Sequence, residues 1–350
     1  MLIIAISTSC TKVEYNGDKD TPTETFVRYT LDWAGQDEVP SELTVVMGRI
    51  INTVHFSFML DSIGTITSVL ENATMVACDT LTGLTIPNGE YYTMIFNKNT
   101  EAYNIDGYDS FITDKSFSMR NMYVSAKDCS NDMFTQIQEK ASDFNPTQKY
   151  IKEVKPVWID VVKNNIHPEI DTTIQLNPKP FTQQLTFRVS IKADDGVDIK
   201  KVVGMISGVP QRAQIMTGHI SDTLTCRAPF VMAPIESTDI YEGSVCVLGA
   251  IPSIDPTYTT GPGIFEVLIE AVVGEKSRIF HAGLNMMDSM TEANLVERVS
   301  ETERLYKIVA TEALFDIEAK LMIKKDQIDL DNNVPGIEGW FTKDEFEFEI

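Results

Sequence analysis

Leu185-Thr-Phe-Arg-Val-Ser-Ile191 decides the fold class, because Leu185, Phe187, Val189 and Ile191 alternate with Thr186, Arg188 and Ser190. A period of two puts the apolar set on one face of a strand and the polar set on the other. The same alternation recurs on both sides. Upstream, Val27, Tyr29, Leu31 and Trp33 share one strand face, and Val54, Phe56, Phe58 and Leu60 share another. Downstream come Val202 to Ile206, Thr223 to Phe230, Ser244 to Ile251 and Ile264 to Val273, then Phe315, Ile317, Ala319, Leu321 and Ile323. Gly, Pro and Asp turns separate these runs. Short strands at this spacing predict an all-β chain of sandwiches rather than a parallel sheet. Met133, Phe134, Ile137, Ala141 and Phe144 depart from the pattern. They fall at helical spacing behind the caps Ser130, Asn131 or Asp132 and end at Asn145-Pro146, which predicts one short helix. Met290 to Ala310 carries both signals, with Leu295, Val299 and Tyr306 helix-like between alternating flanks.

At about 150 residues per domain, 350 residues make two domains. From Lys149 the chain passes Pro156 and Pro168 to Asn177-Pro-Lys-Pro180 before strands resume. The expected division is a tether over 1–25, a first sandwich over 26–150 and a second over 151–350. Lys and Arg number 29 against 51 Asp and Glu, a net charge of −22. That excess repels phosphate backbones and anionic headgroups, so nucleic acid is excluded as a partner, as is a polybasic grip on lipid. Hydrophobic residues make up 43%, enough for real cores. No apolar run approaches the roughly 20 residues that span a bilayer.

No catalytic motif emerges. The four histidines, His55, His167, His219 and His281, form no His-Glu-x-x-His pair, and neither a Gly-x-Ser-x-Gly elbow nor a phosphate-binding glycine loop is present. Gly261-Pro262-Gly263 reads as a turn. Asp329-x-Asp331-x-Asn333 opens like a calcium loop, but Val334 stands where glycine is needed and Trp340 where a bidentate Glu belongs. It reads as a solvated turn. Asp61-Ser-Ile, Asp79-Thr-Leu, Asp222-Thr-Leu and Asp288-Ser-Met resemble an O-glycosylation acceptor pattern of some Gram-negative anaerobes. An enzyme is not expected.

Both termini carry signals. Met1-Leu-Ile-Ile-Ala-Ile-Ser-Thr-Ser-Cys10 is apolar, then small, then Cys, and turns polar at Thr11. Ser7-Thr-Ser-Cys10 resembles a bacterial lipobox, so Cys10 is the expected lipidation site, with the given start inside a longer signal peptide. Acyl chains on Cys10 would tether the protein to the outer membrane, at about 0.8 kcal/mol per buried methylene. Of the other cysteines, Cys226 and Cys246 sit in strand-like runs and are either disulfide partners or buried thiols. At the far end, Phe346, Phe348 and Ile350 alternate with Glu345, Glu347 and Glu349. Burying the three apolar side chains is worth about 1.5–3 kcal/mol each. The strand either closes its own sandwich, the expected outcome, or adds to a neighbour's open edge.

Several segments together resemble the fimbrillin-like lipoproteins, the superfamily of type V pili, and are close to an uncharacterised lipoprotein family of that group. They are Phe26-Val-Arg-Tyr-Thr-Leu-Asp-Trp33, Ile86-Pro-Asn-Gly-Glu-Tyr-Tyr92 with Ile95-Phe-Asn97, Leu176-Asn-Pro-Lys-Pro-Phe-Thr-Gln-Gln-Leu-Thr-Phe187, Ile206-Ser-Gly-Val-Pro210 and Gly261-Pro-Gly263. The resemblance implies two transthyretin-like, Greek-key sandwiches displayed on the outer membrane, with a role in adhesion or fimbria assembly. It implies no cofactor and no catalytic residue. Its expected partners are fimbrial subunits or ligands on host or bacterial surfaces. Polymerising members are cut behind a basic residue in a loop after the first strand. Here the candidates Arg28 and Arg49 lie in no obvious loop, which favours an anchor or accessory subunit over the main shaft subunit. The alternative is a carbohydrate-binding lipoprotein for glycan uptake. It requires exposed aromatics, and Trp158 or Trp340 would be the platform, because Trp33 lies on an apolar strand face.

Overall fold

The computed structural model describes residues 24–33, 40, 42–49, 55–61, 66–69, 83–97, 101–113, 119–129, 149–167, 172–325, 327–331, 340–342 and 346–349. Cys10, Ile350 and the helix expected over 133–144 lie outside them. Among the described residues the chain is almost all β, as the alternation predicts, with short helices at Tyr108–Thr113 and Met287–Glu292 and a 3-10 turn at Met119–Asn121. The ambiguous stretch after Met290 resolves into the end of that second helix and two strands, Val296–Ser300 and Leu305–Ile308.

A first sandwich pairs a three-stranded sheet with a six-stranded one. The small sheet has the order Thr172–Leu176, Glu24–Leu31, Gly83–Pro87, and its first pair is parallel. The larger runs Lys179–Pro180, Trp158–Ile166, Gly89–Phe96, Glu42–Arg49, His55–Asp61, Ile66–Val69. Val27, Tyr29, Ile86, Ile174 and Leu176 from one sheet meet Leu43, Val45, Met47, Tyr91 and Ile95 from the other. The Gly89–Phe96 strand is buried on both faces. Tyr91 and Ile95 enter this core, and Met94 and Phe96 enter the next one. Hence Tyr91-Tyr-Thr-Met-Ile-Phe96 shows no polar–apolar alternation.

The second sandwich is one long sheet doubled over. Its order is Ile328–Asp331, Glu312–Ile323, Gln183–Ala193, Ile240–Val247, Thr225–Pro234, Val197–Pro210, Ile264–Val273, Lys276–Asn285. Trp340–Thr342 and Phe346–Glu349 both pair with the last of these. Strands 225–234 and 240–247 pair only at Ala233↔Glu242 and Pro234↔Tyr241, then diverge, and this corner folds the sheet into two layers. Phe187 lies between the layers, with its ring centroid 4.5 Å from Phe265, 5.1 Å from Phe315 and 5.2 Å from Phe230. Offset ring pairs add about 0.5–1.5 kcal/mol each beyond their buried area. Gly204 makes the stack possible, because a Cβ there would lie 2.6 Å from the Phe230 ring.

A six-stranded sheet ties the sandwiches together, in the order Val296–Ser300, Leu305–Ile308, His219–Ser221, Arg212–Gln214, Tyr123–Ala126, Tyr103–Asp106. Pairing therefore crosses residue 150 in both directions. Strands 158–180 belong to the first sandwich, and strands 103–126 pair with 212–214 from the second half. A cut at residue 150, the division the sequence suggests, falls inside a segment that laces the second sandwich. Ile151 N–H donates to Arg227 O at 2.9 Å, and Val154 N–H donates to Cys246 O at 3.0 Å. The segment thus fills the side left open where the layers diverge. The terminal strand pairs within its own chain. Its register sets Glu347 opposite Arg278 and Glu349 opposite Lys276, unlike charges at facing positions.

Phe187→Ala is expected to lower stability by about 3–5 kcal/mol, read as a reduced urea midpoint with the slope unchanged. A loss below 1 kcal/mol would show that the layers do not depend on the stack.

Candidate functional site

The run Leu176-Asn-Pro-Lys-Pro-Phe181 crosses from one sandwich to the other. Leu176 is fully buried in the first core, while Asn177 and Lys179 are exposed. Pro178 and Pro180 have no N–H to give a ladder, so the run cannot settle as a central strand and keeps only the pairs Lys179↔Ile159 and Pro180↔Trp158. Phe181 N–H then donates to Val157 O at 2.6 Å. Two residues on, Gln183 is completely buried and fully bonded. Its amide NH2 donates to Leu295 O at 2.7 Å and Ala310 O at 2.8 Å, and its Oε1 accepts Ala250 N–H at 2.8 Å. One side chain thereby fixes three loops around the junction.

The crossing run lines an open cleft of about 850 Å³. Asp32, Asp160, Gln175 and Asn177 come from the first sandwich, and 215–218 and 307–311 from the tying sheet. Asn177 N–H donates to Asp160 Oδ2 at 2.7 Å, and Gln175 Nε2 donates to Asn177 Oδ1 at 3.3 Å. The lining is mixed: Asp32, Asp160, Lys179 and Lys307 bring both signs of charge, Ile159, Ile215 and Val309 are apolar, and its one aromatic ring, Phe181, is buried. Trp158, one platform for sugar stacking, is 8% exposed and faces Pro180 in the ladder. The side chain of Trp340 lies outside the described residues.

Two of the motifs seen in sequence meet in the second sandwich. The Ser207 hydroxyl donates to Gly261 O at 2.5 Å and accepts Ile264 N–H at 2.9 Å. Gly208 has φ +80° and Gly263 φ +71°, and Cβ atoms there would lie 2.6 Å from Ile251 O and 2.3 Å from Ser253 N. Only glycine fits both places, and the contact pins the loop before Ile264.

A second polar cluster escaped sequence reading, since its members lie on separate strands. The Arg227 guanidinium grips the Glu266 carboxylate at 3.2 and 3.4 Å, and His281 Nε2 lies 3.1 Å from Glu266 Oε2. The side chains are 8%, 1% and 3% exposed. The group is sealed from solvent. Among the described residues no group of three His, Cys, Asp or Glu side chains is placed to hold a metal.

The pairing of Cys226 with Cys246 does not form; both are buried free thiols. Their strands separate beyond the corner, and segment 149–157 bonds to each of them on its own. Burial pushes both thiols up to about 11. The triplets divide likewise. Thr223 stands exposed in a turn beside the exposed Leu224, whereas Met290 of Asp288-Ser-Met is buried; the other two triplets extend outside the described residues.

No family model and no curated protein matches this chain in sequence. Among solved structures, a protein from Bacteroides ovatus described as a candidate adhesin superposes at TM-score 0.53, with 14% identity, over 87% of this chain and 93% of that chain. This chain shares that protein's fold. Two Porphyromonas gingivalis proteins also match this chain. The fimbrial anchor protein Mfa2 does so at TM-score 0.38 and 10% identity, over 93% of this chain and 97% of that one. The tip fimbrial protein Mfa3 does so at TM-score 0.39 and 8% identity, over 92% and 99%.

Glu266→Gln strands the buried Arg227 charge and is expected to cost about 3–5 kcal/mol, while Arg227→Met combined with Glu266→Leu recovers most of it; urea midpoints of the three chains decide this. In native protein at pH 8, iodoacetamide is expected to spare Cys226 and Cys246 until the chain unfolds, as mapped by mass spectrometry. Because burial raises these thiols above 9.0, the unfolded chain ionises first, so stability declines as pH climbs from about 9 to about 11. A Cys226–Cys246 disulfide peptide would overturn the assignment.

Proposed function

We propose that this chain is a cell-surface adhesion protein of the fimbrial kind. It is held at the outer membrane through lipidated Cys10 and acts as an anchor or accessory subunit rather than the main shaft subunit. The observation that carries the reading is the fimbrillin-like fold, shared over 87% of the chain with a protein described as a candidate adhesin. The lipobox-like Ser7-Thr-Ser-Cys10 supports the anchor.

Two structural features favour a non-polymerising role. Arg28 sits in a central strand, its backbone paired with Thr173 on one side and Gly83 on the other. Arg49 ends its strand opposite Tyr91. Proteases cut extended, accessible segments, and Arg28, laddered on both sides, offers none, whereas Arg49 is paired on one side only among the described residues. The terminal strand Phe346–Glu349 is likewise engaged with Lys276–Ile279 of its own chain, so it is not free to complete a neighbour. Its partners on this reading are fimbrial subunits or ligands on host or bacterial surfaces.

The test is membrane fractionation of wild type and Cys10→Ala, both expressed from an extended start carrying the full signal. Wild type is expected in the outer membrane and the variant in the soluble periplasmic fraction. Equal membrane retention of both would remove the lipid anchor from the proposal.

A further inference from the structure

We propose that segment 130–148, which lies outside the described residues, docks as an amphipathic helix on the outer face of the second sandwich and covers it. The proposal goes beyond the fimbrial reading and does not depend on it.

The face follows from the register. Val203 and Met205 alternate with Val202 and Ile206, and Leu268 and Ile279 alternate with Val267, Ile269 and Phe280. The second set lines the Phe187 core, so the first points out of the sandwich as a separate apolar cluster. Arg227, Glu266 and His281 stand on the same outward side, with Arg227 opposite Ser207, Glu266 opposite Met205 and His281 opposite Leu268. An outward face is ordinarily wet. Here Val203, Met205, Leu268 and Ile279 are no more than 5% exposed, and the charged group among them is buried as deeply. Something packs over both. Among the described residues, the partly buried apolar side chain that packs against this cluster is Tyr150. One ring does not span four strands, which measure about 14 Å across.

The place where segment 130–148 begins and ends commits it to this face. Cys129 N–H donates to Tyr150 O at 2.8 Å, and Arg227 N–H donates to Lys149 O at 3.0 Å, so both ends stand together beside Arg227. The spacing of Met133, Phe134, Ile137, Ala141 and Phe144 puts their side chains on one helical stripe. A helix over 133–144 is about 18 Å long. The flanking residues 130–132 and 145–148 reach about 23 Å when extended, enough to return both ends of the helix to one point. The segments that flank the terminal strands are poorer occupants: 332–339 offers only Val334, Pro335 and Ile337 as apolar side chains, and 343–345 is Lys-Asp-Glu. On this assignment the outer face of the second sandwich is filled from within and is not a surface offered to fimbrial partners.

Thiol accessibility in the purified full chain tests this. Val203→Cys puts a thiol of similar size on the face, and iodoacetamide labelling is mapped by mass spectrometry, with Cys226 and Cys246 reporting whether the main core stays closed. The introduced thiol is expected to be protected at every protein concentration. Replacing 131–147 by a short Gly-Ser linker is expected to speed its labelling by about tenfold or more while Cys226 and Cys246 stay protected. Ile137→Asp, on the apolar stripe, is expected to speed it likewise, and Thr135→Asp, on the opposite side of the helix, is not. Where the linker variant labels at all its cysteines, these two point substitutions decide. Rapid labelling of the full chain overturns the proposal, as does protection that survives Ile137→Asp or an equal effect of Thr135→Asp. Protection lost on dilution would overturn it in favour of a second copy of the chain. Each of these failures leaves the Cys10 fractionation result untouched.

Discussion

Phe187 holds the two layers of the second sandwich at a fixed distance, and most of the molecule is arranged around that constraint. Its ring meets Phe315 from its own layer and Phe230 and Phe265 from the other. The two layers share ladder pairs only at the corner, so the stack and the surrounding aliphatic core must supply most of the cohesion between them. Beyond the corner, strands 225–234 and 240–247 diverge and leave an opening between them. Segment 149–157 fills it, and its backbone bonds to Arg227 and Cys246 account for the absence of a bridge between Cys226 and Cys246.

The strand that carries Phe187 is also the one that leaves the first sandwich. Working backward from Phe187, the chain passes Gln183, whose amide gathers three loops, and then the two prolines that deny the crossing run a full ladder. The cleft follows from this path. It lies where an interrupted strand, the free end of the first sandwich and the tying sheet converge without packing flush. Loops and interrupted strands on a rigid scaffold are where binding residues concentrate, because the scaffold fixes them while their side chains remain solvated.

The chain ties its two sandwiches by exchanging strands across its middle. Separating the sandwiches would therefore break backbone ladders rather than a surface contact.

Strands were legible in the sequence wherever one face meets the core and the other meets water. Glu312–Ile323 shows it best, with Phe315, Ile317, Ala319 and Leu321 buried between exposed neighbours. The all-β class, the turn at Gly261-Pro-Gly263 and the crossing prolines follow from local chemistry and could be read off residue by residue. Strands buried on both faces or bound mainly at their edges, such as Trp158–Ile166 and Lys276–Asn285, lack that two-residue signature and were missed. Which strands pair, and with what, is a matter of contacts far apart in the chain. Hence only the tertiary structure assembled Arg227, Glu266 and His281, placed Gln183 at the hub of three loops, and set Lys179 and Lys307 on one cleft. Local periodicity reports which way a side chain faces, while long-range packing decides what it meets there.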